Sequence, residues 1–129
     1  MRFNSSQPIF EQIAELLTEQ VVDGRLAPGD RLPSARELGS SLEVNPNTAA
    51  RALQMLADSD LARCERGTGY YVAEKGPALA RHERQKRFFD EELPRLFKRM
   101  DELGIGLEEI SERFEARDGR KGVSHEDKQ

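Results

Sequence analysis

The 129-residue sequence predicts a mainly α-helical domain carrying one small β-hairpin, followed by a short helical appendage. Three observations predict it. Two helix starts follow each other closely within LPSARELGSSLEVNPNTAARALQML, residues 32–56. Directly afterwards, two short runs of β-type residues flank a glycine-containing turn in residues 61–73. Beyond Lys75-Gly76-Pro77 the chain turns into charged helix with large apolar residues at helical spacing. Helix, tight turn, helix and hairpin in that order make a winged helix-turn-helix.

Taken in order, residues 1–7 are expected as a flexible arm, with Phe3 placed to pack on the domain. Pro8 opens the first helix, where a missing N–H costs nothing. Ile9, Ile13, Leu16, Leu17 and Val21 recur close to the helical period, and Gly24 ends the run. Glu11, Glu15, Glu19 and Asp23 are read as its solvated face. Leu26-Ala27-Pro28-Gly29-Asp30 is a turn, and Arg31-Leu32-Pro33 should run as a short strand beside the hairpin. Ser34 stands three residues before Glu37, the capping-box spacing, so the second helix begins after Ser34. It carries Leu38 and Leu42 on one face and should stop near Glu43-Val44. Asn45 then caps a third helix whose first residue is Pro46. Ala49, Ala52, Leu53 and Leu56 form its apolar stripe. The hairpin pairs Leu61-Ala62-Arg63-Cys64-Glu65-Arg66 with Tyr70-Tyr71-Val72-Ala73 across Gly67-Thr68-Gly69.

The polar side of the third helix is the candidate recognition surface. Between Glu43 and Asp58 there is no carboxylate, and Arg51 is the one formal charge. Asn45 has a sufficient role as a cap, while Asn47 and Thr48 stand at a helix N-terminus, where backbone N–H groups favour phosphate. Arg51 suits bidentate recognition of guanine or a phosphate clamp, and Gln54 adds an amide one turn further on. Arg63 and Arg66 charge the hairpin, and Gly67 and Thr68 at its tip allow close approach to a groove wall. Two amphipathic helices joined by a turn also occur in many small domains that bind no nucleic acid. The charge balance suits that alternative: the chain is −4 overall, with eight Lys and Arg against eleven Asp and Glu in residues 1–75. Nucleic-acid binding therefore requires a local surface, with the carboxylates turned away from it.

Other chemistries find little support. The single Cys64 admits no internal disulfide, suits a reducing cytoplasm, and is expected as a buried structural thiol in a wing strand. His82 and His125 lie on a charged helix and in a polar tail without metal-ligand spacing, so neither metal nor cofactor is expected. No phosphate-binding glycine loop, activated nucleophile or set of paired carboxylates points to an enzyme. The absence of an apolar signal region or membrane-length run leads to the expectation of a soluble cytoplasmic protein with no membrane partner.

LPSARELGSSLEVNPNTAARALQMLADSDLARCERGTGYYV resembles the DNA-binding domain of the GntR family of bacterial regulators. The VNPNT-AARAL segment and the short C-terminal region resemble its YtrA-like subfamily, and the motif match covers residues 8–72. The resemblance implies sequence-specific binding to double-stranded DNA, with Arg36 on the second helix set against the DNA. It further implies a homodimeric repressor on an inverted-repeat operator, with a transporter operon as the regulated target. One departure stands out: the commoner family pattern has an arginine where this chain has Ala50, one position before Arg51.

From Pro77 onward a charged helix carries Leu79, Phe88, Phe89, Leu93, Leu96, Phe97, Met100 and Leu103, with Pro94 expected to kink or break it. Gly104 ends that helix, and a shorter one follows with Leu107, Ile110 and Phe114 in step. So many large apolar residues exceed what a lone solvated helix carries, so they are read as a dimerisation surface. The alternative is a pocket for a small-molecule effector, which two helices are too little to enclose. The expected organisation is a DNA-binding domain over residues 1–76, a dimerisation region over 77–117 and a disordered tail over 118–129. Two competing readings remain at this level: a winged-helix protein-interaction module without DNA binding, and a ligand-responsive helical protein that uses the winged helix as scaffold.

Overall fold

The computed structural model describes residues 3–117, so the expected disordered tail and His125 lie outside the described residues. Its elements are α1 (Ile9–Val22), α2 (Ala35–Leu42), α3 (Pro46–Asp58), β1 (Ala62–Glu65), β2 (Gly69–Val72), α4 (Gly76–Arg87), α5 (Leu93–Leu103) and α6 (Leu107–Ala116). A π-helical turn, Phe88–Glu92, lies between α4 and α5. The fold is mainly helical with one two-stranded antiparallel hairpin, as the sequence predicts. The chain divides into two compact units, Met1–Gln85 and Lys86–Gln129.

In the first unit the helix ends follow from local chemistry. Ser34 Oγ accepts from the Glu37 N–H at 3.0 Å, and the Glu37 carboxylate accepts from the Ser34 N–H at 2.9 Å, completing the capping box. α2 stops where Glu43 turns left-handed at φ 59°, and the Val44 N–H returns to the Gly39 carbonyl at 3.0 Å. Asn45 Oδ1 then accepts from the Asn47 N–H at 2.7 Å, and Pro46 opens α3. The turn is tight because Gly39 is buried beneath it. A Cβ there would lie 2.9 Å from the Val44 carbonyl oxygen and 3.2 Å from the Pro46 ring.

The core joins all these elements. Ile13 and Leu17 of α1, Leu32 of the segment before α2, Leu53 of α3 and Val72 of β2 are fully buried. Leu38, Ala49, Ala52, Leu56 and Ala62 complete the layer. β1 and β2 pair with Ala62 opposite Val72 and Glu65 opposite Gly69. Residues 30–32 flank β2 on its other edge, with an Arg31–Tyr71 bridge and Leu32 N–H donating to the Tyr70 carbonyl at 2.8 Å. The segment expected as a short strand beside the wing therefore lies extended along β2, but it makes an isolated bridge there rather than a third strand.

Two local expectations change. Residues 3–7 are tied down rather than forming a free arm. Gln12 is buried and needs partners for its amide, and its Nε2 donates to the carbonyls of Asn4 and Gln7, each at 2.8 Å. The acidic face of α1 is also only partly given over to solvent. Glu19 pairs with Arg84 of α4 at 3.0 Å, and Arg84 reaches the Glu15 carbonyl at 3.3 Å. This seats the first turns of α4, where Ala80 is fully buried and Gly76 packs so closely that a Cβ would meet the Leu61 carbonyl oxygen at 2.6 Å.

In the second unit Pro94 does not end the helix. Proline provides no N–H and its ring crowds the preceding turn. The π-turn ahead of it, in which the Leu93 N–H donates to the Phe88 carbonyl, absorbs this locally. Gly104 closes α5 in the left-handed region at φ 70°. Neither α5 nor α6 has a buried residue.

Candidate nucleic-acid interface

The residues expected to contact DNA lie on three pieces of the first unit: the start of α2, the exposed side of α3 and the tip of the β1–β2 wing. Arg36 sits in the first turn of α2, exposed and without a protein partner among the described residues. Asn47 is exposed at the start of α3 and Thr48 is half-buried beside it. Asn45 spends its side chain on the cap. One turn on, Arg51 is exposed with its guanidinium stacked 4.0 Å over the Phe10 ring.

Gln54 is exposed but occupied. Its Nε2 donates to Asp58 at 2.9 Å, and its Oε1 accepts from the Tyr70 hydroxyl at 3.1 Å. It thereby joins α3 to β2. Partial burial, with Cys64 beside it, raises the Tyr70 hydroxyl above the ordinary phenol value, so it remains a donor to Gln54. Cys64 itself is exposed, which corrects the expectation of a buried thiol. It shares the face of β1 that carries buried Ala62, but only that first residue is covered, so Cys64 reaches solvent beyond the core.

On the wing, Arg63 pairs with Glu65 at 3.0 Å and lies 5.3 Å over Tyr71. Arg66 at the tip has no protein partner among the described residues and is exposed. Gly67 occupies the left-handed region at φ 82° with open space around it. Thr68 closes the turn, its N–H and hydroxyl both reaching the Glu65 carbonyl.

Sequence reasoning missed Arg31. Its Nε donates to the Thr68 carbonyl at 3.2 Å, and its NH1 lies 4.0 Å from the Glu37 carboxylate. Gly69 lets it in: a Cβ at that position would stand 3.2 Å from Arg31 Nε. Arg31 thus ties the wing tip to the capped end of α2. The clue available in the sequence was its place on an extended segment flanking the hairpin. Among the described residues no three His, Cys, Asp or Glu side chains cluster to hold a metal ion. No helix among them is long and apolar enough to cross a membrane.

The remaining candidates lie on the helical appendage. Leu79 of α4 is exposed within the first unit. In the second unit Phe88, Phe89, Leu96, Phe97, Leu103, Leu107 and Phe114 are exposed, while Leu93, Met100 and Ile110 are half-buried.

Comparison with known proteins agrees with this geometry. The family model for bacterial regulatory proteins of the gntR family matches residues 9–72. The HTH-type transcriptional regulator YhcF of Bacillus subtilis is 37% identical over 111 residues, covering 86% of this chain and 90% of its own. The HTH-type transcriptional repressor YtrA of the same organism is 34% identical over 108 residues, covering 84% and 82%. A solved GntR-family transcriptional regulator from Listeria monocytogenes superposes with a TM-score of 0.68 at 34% identity, covering 84% of this chain and 93% of that one.

Proposed function

The chain belongs to the GntR family of bacterial regulatory proteins and is a DNA-binding transcriptional regulator rather than an enzyme, and from this we propose that it acts as a homodimeric repressor on an inverted-repeat operator. The observation that carries the reading is the exposed side of α3. Asn47, Thr48 and Arg51 stand there with no carboxylate bound to any of them among the described residues, in a chain that is acidic overall. Arg36 at the start of α2 and Arg66 at the wing tip add cations that are exposed and unpaired among the described residues.

In this proposal α3 enters the major groove with Asn47, Thr48 and Arg51 toward the base edges and adjacent phosphates. Arg36 and the wing, through Arg63, Arg66, Gly67 and Thr68, hold the flanking backbone. Asn45, Gln54 and Arg31 set the angles between these parts. Residues 77–117 pair two subunits, and two-fold symmetry makes the operator an inverted repeat. The name of the B. subtilis relative YtrA supports repression as the mode of control. A transporter operon as target is carried over from the subfamily resemblance, and the cytoplasm as location from the single cysteine and the lack of an apolar signal region in the sequence.

Selection of duplexes from a random-sequence pool, followed by titration of the recovered site at several salt concentrations, tests the reading. Symmetric half-sites and a steep fall in affinity with salt are expected. Recovery of no preferred duplex, or affinity indifferent to salt, would overturn it.

A further inference from the structure

We propose that Phe10 is a positioning residue for DNA recognition, holding the Arg51 guanidinium ready for bidentate contact by stacking beneath it. The inference rests on the placement of Arg51 in the reading surface. Arg51 shares an open cleft between α1 and α3 with two carboxylates, Glu11 and Asp58. Neither is its partner. Asp58 accepts from Gln54 at 2.9 Å and Glu11 from Gln7 at 3.4 Å, while Arg51 donates no hydrogen bond to protein among the described residues. Its platform is instead the Phe10 ring, 4.0 Å from Cζ to the centroid, inside the range of a cation–π contact.

The choice of partner matters for what Arg51 can do next. A carboxylate would occupy the N–H donors of the guanidinium, and that pair would have to break before DNA was bound. An aromatic ring takes only the face of the planar group. All five N–H donors lie in the plane and stay available for a guanine edge or a phosphate. The side chain is also held in place before DNA arrives, so less freedom is lost on binding. Phe10 can serve as such a platform because it is itself fixed, half-buried and packed against the core at the start of α1.

The test is a mutant cycle in the full chain, using the duplex that the wild type recovers from a random-sequence pool. Phe10→Leu keeps apolar bulk and removes the ring face, and should weaken binding by about two- to fivefold, the range of an exposed cation–π contact. Phe10→Tyr restores a ring and should bind as the wild type does. In an Arg51→Ala background Phe10→Leu should cost nothing further. A loss that persists undiminished in that background would overturn the proposal, since Phe10 would then act through the fold or through its own contact. Arg51→Ala binding as tightly as wild type would remove Arg51 from the reading surface, and the platform with it. Should Phe10→Leu fail to fold, NMR of the free wild-type protein decides. Ring currents must move the Arg51 side-chain protons well upfield, and ordinary shifts there would overturn the stack.

Discussion

At the scale of single residues, two glycines do different work. Gly39 is needed for space: its φ is unremarkable, but any Cβ would press on the Val44 carbonyl and the Pro46 ring. Gly39→Ala should therefore destabilise the protein by about 1–3 kcal/mol, the usual cost of overpacking. Denaturant melts check this, and an unchanged midpoint would show that the turn yields. Gly67 is needed for conformation: its φ is 82°, yet nothing lies within 4 Å of where a Cβ would be. Gly67→Val should leave the core intact but strain or reshape the wing turn. Affinity should fall by a similar factor for cognate and unrelated duplexes, measured side by side. A loss confined to the cognate site would instead make the wing tip a reader of bases.

At the scale of elements, the capped start of α2 is a joint as well as a helix end. Glu37 accepts from the Ser34 N–H and lies near Arg31, which in turn holds the wing. The Ser34 backbone hydrogen bond is the main reason the Glu37 carboxyl is held below the usual carboxylate range. A carboxyl depressed in the folded state favours folding above its unfolded-state pKa, and that contribution disappears as pH falls through the lower folded-state value. Glu37→Gln retains a side-chain acceptor but cannot titrate. The gap in melting temperature between wild type and this variant should be widest near neutrality and close in acid, below the ordinary carboxylate range. A gap independent of pH would mean that the charge of Glu37 is irrelevant to the joint. Gln54 plays the matching part between α3 and β2, which is why an exposed amide on the expected reading face turns out to be already bound to Asp58 and Tyr70.

At the scale of the whole molecule, the second unit gives little reason for its own composition unless something covers it. Leu93, Leu96, Phe97, Met100 and Leu103 follow helical spacing on α5, yet none is buried. Each large apolar side chain that a second subunit covered would contribute about 1.5–3 kcal/mol. Phe97 is 51% exposed, so Phe97→Asp should cost the folded subunit little while breaking the proposed pairing. The variant should be monomeric by light scattering at concentrations where wild type is dimeric. Its affinity for a full inverted repeat should fall toward that for a half-site. A monomeric wild type, or a variant that still dimerises, would defeat the proposed assembly.

Sequence alone determined the parts whose causes are local. The capping box at Ser34 and Glu37, the Asn45-Pro46 start of α3 and the glycine turn of the wing were legible because each depends on residues a few positions apart. The apolar stripe Ala49, Ala52, Leu53 and Leu56 was legible because helical period decides which face is buried. Tertiary structure decided what depends on neighbours distant in the chain. Arg31 meets Thr68, Phe10 meets Arg51, and Arg84 meets Glu19 only after the elements pack. Nor could periodicity foresee that Cys64, on the same strand face as buried Ala62, would be exposed, or that a π-turn would carry the helix past Pro94. Spacing along the chain specifies which face a side chain takes, while the partner it finds there depends on how separate elements come together.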